Sequence, residues 1–130
     1  MYKNLVLGSN TLAPLKNGME VPYINFDNAA TTPPLISVIN EINNFSYYYS
    51  SVHRGTGYKS IISSNYYEKA REIVLNFVGG NPHSHIVIFV KNTTEAINKL
   101  SYALEDVIQD GIVLSTEMEH HSNILPWRYK

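Results

Sequence analysis

At 130 residues the chain is long enough for one ordinary domain and too short for two. Its 44% hydrophobic and 16% charged residues suit a globular protein, and 10 basic against 11 acidic side chains leave no basic excess to attract nucleic acid or an anionic membrane. The absence of cysteine excludes disulfides, thiolate metal sites and a thiol nucleophile drawn from these residues.

Residues 1–26 carry Gly8, Pro14, Gly18 and Pro22 without a sustained hydrophobic period, and read as an extended arm with a short strand at Tyr23–Phe26. The first apolar run is too short for a signal peptide and no segment approaches transmembrane length, so the cytosol is the expected compartment. DNAATTPP (Asp27–Pro34) is a turn of small residues, with Thr32 placed to cap a helix whose first turn tolerates proline. Leu35, Ile39, Ile42 and Phe45 then recur at helical spacing and predict a helix over 34–48. SSVHRGTG (Ser50–Gly57) breaks it as a loop. Tyr66, Tyr67, Ala70, Ile73, Val74, Phe77 and Val78 form the next helical face, with Gly79-Gly80 as its stop. The 10 tyrosines, several of them adjacent, read as packing at helix faces.

HIVIFVK (His85–Lys91) is short, β-branched and apolar on both faces, the pattern of a strand covered on both sides in a parallel sheet. A third helix follows, with Ala96, Ile97, Leu100, Ala103, Leu104, Val107 and Ile108 on one stripe. GIVLST (Gly111–Thr116) predicts a second buried strand, so strand, helix and strand form a βαβ unit and the fold class is α/β.

Three clusters carry chemistry. In KNTTEAINKL (Lys91–Leu100), Asn92 and Glu95 form a capping box at the start of the third helix. Such a cap is common and needs no ligand. The adjacent Thr93 and Thr94 go further, because threonine is a mediocre helix former and the free N–H groups of a helix start suit an anion. A plain cap and a phosphate site both remain open on this pattern. EMEHHSN (Glu117–Asn123) follows the second strand and lies on the same rim by the rule that ligands bind at strand carboxyl ends. Adjacent histidines diverge on most backbones, and His83 and His85 precede a strand at the opposite end of the sheet, so ligand geometry argues against a metal site. VHRG (Val52–Gly55) is by itself a solvated loop, unless its arginine grips a carboxylate or phosphate.

These motifs, FDNAATTPP, SSVHRGTG, YEKAREIVLNFVGG, TTEAIN and EMEHHSNILPW, resemble in order and spacing the N-terminal portion of the class V aminotransferase family. The similarity is to its cysteine desulfurase and selenocysteine lyase branch, which uses pyridoxal 5′-phosphate, and it covers residues 23–127. The resemblance implies the N-terminal part of a fold-type-I large domain over residues 27–130, behind an arm at 1–26. It implies cofactor-phosphate binding by Thr93 and Thr94, and an imidazole from His120 that stacks on the pyridine ring. Asn28 and Ala29 match the turn at the substrate end, and His53 and Arg54 a loop at the active-site mouth near a homodimer interface. The implied substrate is a small amino acid; other pyridoxal-phosphate chemistry, or a non-catalytic interaction module, is the alternative. Asn92 departs from the glycine of many relatives; asparagine tolerates left-handed dihedrals, so the turn is expected to survive.

The Schiff-base lysine, its acidic partner on the pyridine nitrogen, the desulfurase thiol and the carboxylate-gripping arginine fall in the family beyond the stretch matched here. None of the lysines present follows a histidine as the family motif requires. The expectation is an N-terminal piece that is inactive by itself. In that fold the strands at 85–91 and 111–115 are not neighbours, which predicts either a gap in the sheet or a non-family pairing, completed by another chain.

Overall fold

The computed structural model describes residues 2–108 and 111–128. They divide into two compact units, one up to Ala70 and one from Arg71, with the division inside a single helix.

In the first unit a 3-10 turn (Tyr2–Leu5) leads to an antiparallel hairpin of β1 (Leu12–Pro14) and β2 (Glu20–Pro22), with Ala13 opposite Val21. The expected extended arm is therefore folded on itself. Its signal is Asn17-Gly18. Gly18 sits at φ 82, a left-handed conformation that costs glycine little, and Asn17 Oδ1 accepts from Met19 N–H at 3.1 Å. Prolines at both strand ends are tolerated because a two-stranded ribbon has only edges. The strand expected at Tyr23–Phe26 does not form; Tyr23 N–H extends the hairpin by donating to Thr11 O at 2.9 Å, and Ile24 and Phe26 stand in solvent.

Helix α1 spans Ile36–Ser46, with Leu35 as an N-cap that lends no side-chain hydrogen bond. Thr32 thus does not cap it, for a steric reason. Pro34 drives Pro33 out of the helical region, and the Pro34 carbonyl accepts Leu7 N–H at 2.9 Å beside the Val6–Leu35 bridge. Helix α2 spans Tyr58–Phe77 and starts two turns before the apolar face that predicts it. It ends as predicted at the glycine pair. Gly79 is at φ 70, its N–H donates to Asn76 O at 3.1 Å, and Gly80 N–H donates to Leu75 O at 2.9 Å. These are the two bonds of a Schellman cap, and the Leu75 side chain fills the space a Cβ on Gly80 would need.

In the second unit α3 spans Thr93–Glu105 and packs against a 3-10 turn (His121–Asn123) and α4 (Leu125–Arg128). Val107 and Ile108, expected on the helix, lie just past its end, where both N–H groups donate to Leu104 O. Neither predicted strand forms: 85–91 and 111–116 join no ladder, so the βαβ unit and its parallel sheet are absent from the described residues. The described residues show neither a gapped sheet nor a non-family pairing of these segments, because the strands themselves do not form. A strand gains its hydrogen bonds only from neighbours, and two short segments with bare faces do not offset the entropy of ordering them. Ile86 and Ile88 are 71% and 68% exposed, and Ile112 and Leu114 are 87% and 91% exposed. Each pair is two residues apart, the spacing that shares one face of a strand, and that face is uncovered.

Among the described residues no apolar side chain is buried, and no helix is long and apolar enough to cross a membrane. Exposed apolar surface on this scale predicts strong enhancement of anilinonaphthalene sulfonate fluorescence and concentration-dependent association in sedimentation. The double variant Ile88→Lys, Leu114→Lys should lower both, since a charge on an open strand face opposes edge pairing.

Candidate functional site

The start of α3 is built by its cap. Asn92 is extended (φ −166, ψ 171) and its Oδ1 accepts from Glu95 N–H at 2.9 Å. Glu95 Oε2 reaches back to Lys91 N–H at 3.0 Å, one residue before the partner of an ideal capping box, and Oε1 faces Lys99 Nζ at 3.8 Å. The backbone at Asn92 is extended and not left-handed, so the tolerance expected of asparagine is not called on. Thr93 and Thr94 are exposed at the first two helical positions. Among the described residues neither hydroxyl nor either N–H of this pair has a hydrogen-bond partner, so four donors are free at the positive end of a 13-residue helix.

The histidine pair is held by a different set of bonds. His120 is extended and caps the 3-10 turn, its Nδ1 accepting Ser122 N–H at 3.2 Å with Ser122 Oγ at 2.8 Å. Accepting at Nδ1 puts the neutral ring's proton on Nε2. Below it Glu119 Oε2 accepts from Asn123 Nδ2 at 3.0 Å, Glu119 Oε1 accepts from Thr116 Oγ1 at 3.1 Å, and Asn123 Oδ1 accepts from Trp127 Nε1 at 3.2 Å. The Asn123 amide, followed by the Thr116 hydroxyl, holds the Glu119 carboxyl below the usual glutamate range. The sequence reading gives Glu119 and Ser122 no role; they shape the loop, and the spacing Glu119, Asn123, Trp127, four residues apart each time, is the signal that could have found this ladder.

A groove of about 370 Å³ runs between α3 and this loop, lined by Thr94, Asn98, Ser101, Tyr102, His121, Ser122, Leu125 and Pro126. The structure therefore brings Thr94 together with the second histidine, while Thr93 and His120 do not line the groove. Asn98 Nδ2 donates to Thr94 O at 2.8 Å and the buried Ser101 Oγ to Asn98 O at 2.9 Å, which makes this face of α3 polar. Away from it, His85 Nδ1 accepts from Asn81 N–H at 3.1 Å within the turn that follows α2. Among the described residues no three histidines, aspartates or glutamates gather to hold a metal ion.

The substrate-side candidates lie in the first unit. Asn28 Oδ1 accepts from Asn25 Nδ2 at 2.7 Å, and Asn25 Oδ1 accepts from Asp27 N–H at 2.8 Å, which shapes the small-residue turn; Ala29 is exposed within it. The loop bearing His53 and Arg54 is clamped by serines of α2. Ser63 Oγ donates to Tyr48 O at 3.1 Å and accepts from Ser50 N–H at 2.9 Å; Ser60 Oγ donates to Ser51 O at 2.7 Å; Ser64 Oγ accepts from His53 N–H at 2.9 Å. Serines three and four apart share one helix face, and this SIISS pattern, a polar stripe inside a helix, is the overlooked sign that the loop folds back. His53 Nε2 lies 3.0 Å from Glu68 Oε1, and among the described residues Arg54 has no partner.

Comparison with known proteins gives the chain a family. The model of the family Aminotransferase class-V matches residues 24–129, and the chain belongs to that family. A cysteine desulfurase of Haloferax volcanii is 37% identical over 110 residues, covering 82% of this chain and 26% of that protein. Proteins named probable cysteine desulfurase in Mycolicibacterium paratuberculosis and Aeropyrum pernix are each 39% identical, over 82% and 84% of this chain and 16% and 27% of their own lengths. The chain spans about a quarter or less of these curated relatives. No solved structure matches it.

Two outcomes follow from the geometry. Ser63→Ala leaves the Ser50 N–H and the Tyr48 carbonyl without their partner, at a cost of about 1–3 kcal/mol to loop closure, and hydrogen exchange across residues 48–53 should rise accordingly. Glu119 binds its proton less readily when folded, so its stabilisation is complete above the ordinary glutamate pKa of about 4.3 and is lost as the pH falls through the lower folded value. Trp127 emission should shift over that acid range, and Glu119→Gln should flatten the shift.

Proposed function

We propose that this chain supplies the phosphate-binding rim of a pyridoxal 5′-phosphate-dependent enzyme of the cysteine desulfurase type. The observation that carries the reading is the set of four free donors at the start of α3, the Thr93 and Thr94 hydroxyls and their two N–H groups. A phosphate ester dianion takes up several charge-assisted hydrogen bonds, and a helix N-terminus adds its partial positive charge. The donor set fits the cofactor's phosphate.

In this reading Thr93 and Thr94 anchor the ester and Asn92 keeps the helix start open by occupying the Glu95 N–H with its own side chain. His120 supplies the imidazole for the pyridine ring, and Ser122, by donating to Nδ1, fixes which ring nitrogen carries the proton. Asn28 and Ala29 line the substrate end. Arg54 offers five donors in a planar fork at the active-site mouth, and His53 sets its position. When bound, pyridoxal 5′-phosphate acts as an electron sink for chemistry at an amino acid's α-carbon. The lysine that tethers the cofactor and the acid that faces its ring nitrogen come from residues outside these 130. The names of the relatives favour cysteine as substrate and removal of its sulfur over removal of selenium. A cytosolic homodimer is the assembly proposed for the whole enzyme.

Because the claim concerns the phosphate, the test compares pyridoxal 5′-phosphate with pyridoxal, using quenching of Trp127 fluorescence. The phosphorylated form should bind more tightly. Thr93→Ala with Thr94→Ala should remove most of that preference, about 1.5 kcal/mol per hydroxyl or roughly a hundredfold together. Equal affinity for the two ligands, or an unaffected double variant, defeats the reading.

A further inference from the structure

His53 is the one non-glycine residue among those described with a positive φ, at 57°. L-residues avoid this region because Cβ crowds the backbone, so something must hold it there. Three contacts do so, and all come from one helix. His53 N–H donates to Ser64 Oγ at 2.9 Å, its Nε2 lies 3.0 Å from Glu68 Oε1, and its ring meets Tyr67 edge-on at 5.8 Å and 90°. Ser64, Tyr67 and Glu68 stand at i, i+3 and i+4 on α2, so backbone and ring are gripped by one rigid surface. A carboxylate can only accept, so Nε2 carries the hydrogen and Glu68 fixes the orientation of the ring.

The next residue is Arg54, whose guanidinium has no partner among the described residues. The dihedral at His53 sets the direction in which the chain leaves toward it. We infer that Glu68 is a positioning residue: by holding the His53 ring it fixes the left-handed turn that aims Arg54 into the active-site mouth. This rests on the substrate-side reading of Arg54 given above. An exposed acid–imidazole pair on a helix surface would ordinarily contribute little. Here the pair spans a backbone held in a disfavoured conformation, which couples the side-chain contact to the path of the loop.

The test uses Glu68→Ala and Glu68→Gln in the 130-residue chain, read by amide exchange of His53 and by its HN–Hα coupling, with far-UV circular dichroism as a control. Alanine is the better helix former, so α2 stays intact. Glu68→Ala should speed His53 exchange about tenfold and shift the coupling toward an averaged φ. Glu68→Gln should keep both near the parent values, because its amide oxygen still accepts from Nε2–H. Unchanged exchange in the alanine variant overturns the inference, and so does a glutamine variant that matches alanine. In the enzyme that contains this chain, Glu68→Ala should raise KM for cysteine and spare kcat. A released loop with an unmoved KM would leave the grip of Glu68 standing and overturn the substrate-side role of Arg54.

Discussion

The hydroxyl of Ser63 accepts one backbone N–H and donates to one backbone carbonyl of the loop before α2, and at 2% exposure Ser63 is the most buried of the three buried residues among those described. The other buried side chains among the described residues, Ser60 and Ser101, are also serines engaged with backbone. A hydroxyl hydrogen bond contributes about 0.5–1.5 kcal/mol net, whereas burying a leucine or isoleucine contributes about 1.5–3. Such bonds can fix a loop on a helix, but a few of them cannot replace a core. What is ordered here is ordered by hydrogen bonds and helix contacts without a buried apolar core among the described residues.

This constraint separates the elements that form from those that do not. Helices satisfy their own backbone, and α1, α2 and α3 all form, with the Gly79-Gly80 stop of α2 and the Asn92 cap of α3 where the sequence places them and the other ends shifted. The β1–β2 hairpin closes through a five-residue turn. The segments 85–91 and 111–116 need neighbours on both edges and cover on both faces, and within the described residues they have neither. Both carry β-branched apolar runs, at 86–90 and 112–114, and these hydrophobic signals are left unanswered.

The two candidate clusters survive because each depends on one helix. The α3 start carries the free donors of Thr93 and Thr94 on a cap made by Asn92, and α2 carries the loop of His53 and Arg54 on its serine face. The chain belongs to the class-V aminotransferase family, and the proposal of Thr93 and Thr94 as phosphate ligands draws on both the family and the donors left open.

The cap at Asn92, the threonine pair, the glycine stop of α2 and the turn at Asn28 were legible in the sequence because each is a contact among residues a few positions apart. The order and spacing of the motifs marked the family for the same reason: they are written along the chain. Other features were not legible. That Thr94 shares its groove with His121 and not with His120 depends on how the 3-10 turn meets α3. That the Ser50–Gly57 loop lies on Ser60, Ser63 and Ser64 depends on pairs up to fifteen residues apart. Periodicity could say that 85–91 and 111–116 would suit a buried strand, but whether a strand forms is decided by the partner that covers it. Local hydrogen-bonding groups determine their own arrangement from sequence, while burial is a property of what stands opposite and only the tertiary structure decides it.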